Sequence, residues 1–166
     1  MISVYYDRFF MAQPASEETT ERVVTTNRKA RHDYHILESL EAGIALTGTE
    51  VKSVREAGVT LTGGFAQLRK GEIWLVGVHI NPYKQGSYAN VDPMRERRLL
   101  LHRREIRKLA SKLTDRGITL VPLKIYFKGN KAKLQLGLCR GKRDYDRRAD
   151  IKERDAERDL RRIHRR

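Results

Sequence analysis

ITLVPLKIYF at residues 118–127, followed by KGN at 128–130 and KAKLQLGLC at 131–139, sets the fold class. Thr119, Val121, Leu123, Ile125 and Phe127 recur at every second position, as do Ala132, Leu134, Leu136 and Leu138 in the second run. A period of two puts each set on one face of a strand. Lys128-Gly129-Asn130 is turn chemistry, so the two runs predict an antiparallel hairpin with Lys124, Lys131 and Lys133 on its other side.

Working upstream, Ile106, Leu109, Ala110 and Leu113 have the spacing of an amphipathic helix that ends at Asp115-Arg-Gly117, its other face largely cationic. Before it lies a dense basic patch: Arg95, Arg97, Arg98, Arg103, Arg104, Arg107 and Lys108 against Glu96 and Glu105. Residues 84–94 form a polar loop, and Asn81-Pro82-Tyr83 ends a ladder. Phe65 to Arg69 and Glu72 to Ile80 predict a second hairpin turning at Lys70-Gly71.

EAGIALTGTEVKSVREAG at 41–58 predicts a short buried strand at Gly43 to Leu46 and a turn at Thr47 to Thr49. Thr49 is the expected N-cap of a helix over Glu50 to Glu56, and Gly58 its left-handed cap. At Asn27 the character changes: Arg28, Lys29, Arg31 and His32 precede a short strand in which Tyr34 and Ile36 share a face. Short antiparallel strands interrupted by helices predict a mainly β fold with short helices, an OB-like antiparallel barrel over 27–139.

Two flanks complete the chain. Residues 1–26 carry a net charge of −2 and are expected to be a flexible acidic extension, with Met11 a plausible alternative start. Residues 140–166 hold 12 basic and 7 acidic residues. Wound as a helix, Arg147, Arg154, Arg158, Arg161 and Arg165 fall within about 40° of one line, opposite Ala149, Ala156, Leu160 and Ile163. This flexible basic tail is expected to be disordered when free and helical when bound.

The 35 Lys and Arg against 21 Asp and Glu give a net charge of +14 and, being clustered, predict a polyanionic partner. Membrane surfaces are also anionic, but no apolar run approaches a membrane span, and none is expected. The single Cys139 rules out an internal disulfide framework and a multi-cysteine zinc site, which suits a reducing cytoplasm. His32 and His35 lack further ligands in an extended lead-in to a strand, so no metal is expected. Glu41 and Glu50 sit in different elements with no nucleophile beside them, which argues against catalysis. A nuclease using either acid is the reading from another class, and a general OB-type RNA-binding or ribosome-associated factor is the nearer alternative.

Leu99-Leu100-Leu101 among arginines cannot all point into a core; a buried strand end is one reading, and one exposed leucine packed on unstacked bases is the other. Tyr145 among Lys142, Arg143, Arg147 and Arg148 has the makeup that stacks on and neutralises RNA.

Together Asn27-Arg-Lys-Ala30, Tyr34, Glu41-Ala-Gly43, Gly48-Thr-Glu-Val-Lys-Ser53, Pro93, Arg95, Arg97, Leu99 to Leu101, Gly141-Lys142 and Asp150-Ile-Lys-Glu-Arg154 form a specific combination. From Asn27 onward the chain resembles the small protein B family, the SsrA-binding proteins of bacterial trans-translation. The resemblance implies an OB-like barrel without enzymatic activity or cofactor. It implies binding of the tRNA-like domain of transfer-messenger RNA, and its delivery, with alanyl charge and elongation factor Tu, to stalled ribosomes. Asn27, Glu41 and Leu100 match positions that bind this domain, and Arg28, Lys29, Tyr34, Arg95, Arg97 and Lys133 are expected beside them. The tail, including Lys142, Arg143, Tyr145, Arg147, Arg148, Asp150, Ile151, Lys152, Arg154, Arg158 and Arg161, is expected in the ribosome's vacant mRNA channel and decoding centre. Alanyl-tRNA synthetase is an indirect partner, and a cytoplasmic monomer is expected.

Overall fold

The computed structural model describes residues 21–143 and Asp146. Its elements run β1 (Glu21–Thr26), α1 (Arg28–Asp33), β2 (Tyr34–Ile44), α2 (Gly48–Arg55), β3 (Val59–Thr60), β4 (Phe65–Arg69), β5 (Glu72–Val76), β6 (His79–Ile80), β7 (Arg97–Leu100), α3 (Arg103–Leu113), β8 (Ile118–Lys128) and β9 (Lys131–Gly141). The larger sheet has the order β1-β8-β4-β5-β7-β2-β9, and β9 also pairs with β8. All pairs are antiparallel, so six strands curl into a ring of pairings, as the short strands predict. The ring is thinnest between β4 and β8, which share a single registered pair, Ala66 opposite Leu120.

Both predicted hairpins form. Lys70 and Gly71 have φ of 49° and 78°, the two positive values that a two-residue turn between right-twisted strands requires. The β8–β9 turn is a residue tighter than expected, because Lys128 already pairs with Lys131.

The expected single apolar face of β8 divides in two. Between Pro122 and Lys124 the register slips by one residue, and a bulge reverses the faces beyond it. Leu120, Ile125 and Phe127 join the interior with Ala42, Ile73, Leu75, Leu99, Leu134, Leu136 and Leu138. Val121 and Leu123 instead join Ala30, Cys139 and Tyr34 in a second layer under α1.

Five upstream expectations are corrected. Residues 21–26 are strand β1 on β8, not part of a flexible extension, and Val24 packs against the core, so the domain begins before Asn27. The extended lead-in is helix α1: the Asn27 carboxamide oxygen accepts from the Ala30 N–H at 3.0 Å, an N-cap worth about 1 kcal/mol. The two short strands after it are one, β2, bulged between Ile36 and Glu38. Helix α2 is capped by Thr47 rather than Thr49; the Thr47 N–H donates to Glu50 at 2.8 Å. The left-handed residue after α2 is Ala57, at φ 59°, not Gly58. Gly58 is required by proximity, since a Cβ there would lie 2.5 Å from the Ser53 hydroxyl.

Helix α3 ends near the expected place and buries Leu109, with Ile106 and Leu113 packed beside it. Part of its cationic face is spent internally: Lys108 and Lys112 both bond Glu38 of β2. Lys108 and then Lys112 hold that carboxyl at about 2, despite some desolvation.

Candidate RNA interface

Register assembles the site. Tyr126 of β8 lies opposite Lys133 of β9, Lys133 opposite Gly43 of β2, and Gly43 opposite Leu100 of β7. Directly opposed residues share a face, so Tyr126, Lys133, Gly43 and Leu100 form one row across four strands. Glu41 and Gln135, opposite each other, stand on the same face in the next row. Leu99 turns inward and is buried, while Leu100 is half exposed.

Glu41 is the centre of this face. The Tyr126 hydroxyl donates to its Oε2, and Lys133 Nζ lies 3.0 Å from its Oε1. Tyr126 and then Lys133 hold the carboxyl below its ordinary value. Burial first, and the Glu41 bond second, push the Tyr126 phenol up. Lys124 Nζ stands 4.6 Å from the Tyr126 ring centroid and 3.5 Å from Glu21 of β1. A row of contacts therefore links β1 to Glu41.

Beside the row is an open groove of about 640 Å³ between the sheet and α3, lined by Glu41, Gly43, Leu100 and Lys133 and by Glu72, Arg98, His102 and Glu105. Its cations are paired, Arg98 with Glu72 at 2.9 Å and Lys133 with Glu41, while Glu105 accepts from the His102 backbone N–H. Gly43 leaves the floor low, for a Cβ there would press on Leu100 at 3.1 Å. An apolar floor beside a clamped carboxylate suits a base and its polar edge better than a phosphate.

The SmpB protein family model matches residues 24–166. The chain belongs to the SmpB family. An SsrA-binding protein of Levilactobacillus brevis is 53% identical over 153 residues, 92% of this chain and 98% of that one. One from Streptococcus pyogenes serotype M4 is 58% identical over 138 residues, covering 83% and 89%. One from Carboxydothermus hydrogenoformans is 55% identical over 140 residues, covering 84% and 94%. A solved structure described as "tmRNA-SmpB: a journey to the center of the bacterial ribosome" is 58% identical and covers 72% of this chain and 85% of that one, with a TM-score of 0.62. The Levilactobacillus match spans 153 of 166 residues, so the similarity starts before Asn27 rather than at it.

Against this SmpB framework the other expected RNA contacts separate. Arg97 is fully buried: its Nε meets Glu50 at 2.8 Å, and its other nitrogens donate to the carbonyls of Val78, Arg95 and Pro93. Arg95 bonds both oxygens of the same carboxylate and the Ala45 carbonyl. Burial is the largest influence on Glu50 and raises it, yet Arg95, the Thr47 N–H and Arg97 together hold it below its ordinary value. Asn27 is likewise buried, its amide nitrogen donating to the carbonyls of Leu61 and Pro122. The side-chain polar groups of Arg97 and Asn27, both expected beside RNA, are thus bonded inside the protein.

Arg28 and Lys29 are exposed on α1, and Tyr34 packs half-buried on the layer beneath it. The tail leaves from this corner, where the Lys142 N–H donates to the Asp33 carbonyl and its Nζ to that of Arg31. Asp146 accepts from the Arg143 N–H at 3.2 Å and lies 3.6 Å from His35 Nε2. His32 bonds Asp33, so the two histidines face different carboxylates. Tyr145, Arg147, Arg148, Asp150, Ile151, Lys152, Arg154, Arg158 and Arg161 lie outside the described residues. Among the described residues there is no cluster of three or more potential metal ligands, and no helix is long and apolar enough to cross a membrane.

Tyr126 is the participant that sequence reading missed. The signal was present, since it alternates with Ile125 and Phe127 and so shares the outward side with Lys124.

Proposed function

We propose that this chain binds the tRNA-like domain of transfer-messenger RNA and delivers it to stalled ribosomes for trans-translation. The observation that carries this reading is the row of Glu41, Tyr126, Lys133, Gly43 and Leu100 beside one open groove, in a chain of the SmpB family with a net charge of +14. The sheet presents a shaped, charge-compensated surface to structured RNA, while exposed cations elsewhere supply salt-sensitive attraction. The basic tail occupies the vacant mRNA channel, with its arginine face on ribosomal RNA phosphates and Tyr145 stacked in the decoding centre. Elongation factor Tu and alanyl-tRNA synthetase take part through the RNA, and the chain works as a cytoplasmic monomer.

No catalytic step belongs to this reading. Glu50, one of the two acids a nuclease would need, is 4% exposed and held by Arg95 and Arg97, so it meets no substrate. A titration of transfer-messenger RNA against an ordinary tRNA at fixed salt tests the partner, and strong preference for the former is expected. Deleting residues 145–166 is expected to spare that binding and abolish peptide tagging on stalled ribosomes; loss of RNA binding would show that the two tasks are not divided this way.

A further inference from the structure

We infer that Tyr88 stacks on one unpaired base of transfer-messenger RNA, held out for it by a loop that keeps its shape without RNA. This rests on the proposed binding of that RNA and adds a contact outside the sheet face.

Residues 84–94 form a polar stretch between β6 and β7, and a loop of that length and composition is ordinarily mobile. This one is tied across its base. The Asn90 carboxamide closes on Tyr83, its oxygen accepting from the Tyr83 N–H and its nitrogen donating to the Tyr83 carbonyl, each at 3.0 Å. Inside that clasp the Gly86 N–H donates to the Tyr83 carbonyl and the Ala89 N–H to the Gly86 carbonyl, both at 2.8 Å. Gly86 lies so close to the clasp that a Cβ there would stand 2.5 Å from Asn90 Oδ1. The Thr49 hydroxyl of α2 donates to the Ala89 carbonyl at 3.3 Å, and Lys52 Nζ of the same helix stands 5.3 Å from the Tyr83 ring centroid. The loop is thereby fastened to a helix that Glu50 joins to β7 through Arg97.

What the clasp presents is one ring. Ser87 takes a φ of 39°, in the left-handed region that a residue with a Cβ rarely adopts. The next side chain, Tyr88, is 98% exposed. Tyr83, at the foot of the same loop, is half-buried, as a tyrosine ordinarily is. Strain spent at Ser87 beside a large ring left in water adds nothing to the fold, and it leaves both ring faces free. A tyrosine has only two side-chain torsions to fix, so a preset one offers contact area at small entropic cost.

A nucleobase is the planar ligand that suits this ring. Lys84 on the loop and Lys52 on the helix beneath are exposed and in no ion pair among the described residues, which leaves them for the adjoining phosphates. The loop's one acid, Asp92, is turned to its own backbone, accepting from the Met94 N–H at 2.9 Å. Position selects the RNA. Strand β2 runs 11 residues, from Tyr34, beside the point where the tail leaves, to Ile44, just before the helix on which the loop rests. That is a span of roughly 35 Å. The tail corner is the end proposed to face the ribosome's mRNA channel, so the loop stands at the far end, beyond Gly43, with the tRNA-like domain.

Binding of the full-length chain to a synthetic tRNA-like domain is measured for the wild type, Tyr88→Ala and Tyr88→Phe over a range of salt. Tyr88→Ala is expected to bind roughly tenfold more weakly, the loss of one stacked base. Its slope of affinity against salt should not change, since no phosphate contact is removed. Tyr88→Phe keeps the ring and should stay within about twofold of the wild type. Replacing unpaired nucleotides one at a time by abasic residues should reveal one position that costs the wild type about tenfold and Tyr88→Ala less than about twofold. At so exposed a site these substitutions should leave urea unfolding unchanged, which separates weak binding from a folding defect. The inference is overturned if Tyr88→Ala binds like the wild type, if Tyr88→Phe loses as much as Tyr88→Ala, or if no abasic position depends on Tyr88. Normal RNA binding by Tyr88→Ala with impaired tagging on stalled ribosomes would overturn it too, and move the ring to ribosomal RNA. Failure of the wild type to bind the unmodified RNA would instead overturn the proposed function itself, a distinct result.

Discussion

Two carboxylates nine positions apart, Glu41 and Glu50, each sit between two partners, and they have opposite fates. Glu50 is sealed: Arg95 and Arg97 reach it from the segment that leads into and forms β7, and Thr47 donates to it from its own helix start. Glu41 has Tyr126 and Lys133 but keeps an open side towards a groove. The same chemistry serves the fold where every lone pair is used internally, and serves binding where some are left over. Charge count would rank the two alike; accounting for each acceptor separates them.

The largest effect should come from breaking the sealed cluster. Arg97→Met leaves Glu50 buried with one partner gone, and is expected to cost about 3–5 kcal/mol in urea unfolding. An unchanged midpoint would show that the cluster is not structural. The same carboxylate makes stability depend on acid. Its pKa is lower folded than unfolded, so its contribution is complete above the ordinary value of 4.5 and is lost as pH falls through the folded value. Glu50→Gln should therefore be less stable at neutral pH yet lose less between pH 5 and 3 than the wild type, as followed by circular dichroism.

Glu41→Ala should behave differently, with stability lowered by only about 1 kcal/mol for the lost Tyr126 bond, and RNA binding weakened roughly tenfold. If stability fell as far as for Arg97→Met, Glu41 would belong with Glu50. The smallest effect is expected for Tyr126→Phe, which keeps the ring and loses one donor. Binding should weaken about fivefold in a wild-type background, and scarcely at all when Glu41 is already alanine.

Legibility in the sequence followed the range of the interaction. The β8–β9 and β4–β5 hairpins were readable because alternation and a glycine turn are local signals. That Leu99 to Leu101 divide between two faces was readable because three consecutive leucines cannot share one; that Leu100 is the one outside was not, and it follows from the β7 register. Helix α1 was missed because RKARHD lacks an apolar stripe; it is set by Asn27 at one end and by Ala30 beneath, and only the first is a sequence signal. β1 was missed because its partner lies about 100 residues away on β8. The bulge in β8 is silent in a pattern of apolar residues, since Val121, Pro122 and Leu123 leading into it are all apolar. The burial of Arg97 was not legible for a related reason: within a basic run nothing local distinguishes the arginine whose carboxylate is 47 residues upstream.

The single pair joining β4 to β8 gives the molecule an order of opening. Pro122, two residues beyond that pair, contributes no N–H to either neighbour, so the ladder cannot lengthen there. Amide exchange should accordingly be fastest along this seam and slowest where β9 lies between β2 and β8. Glu41, Lys133 and Tyr126 all stand on the slow side. The barrel can breathe along one edge while its RNA-facing row keeps its shape.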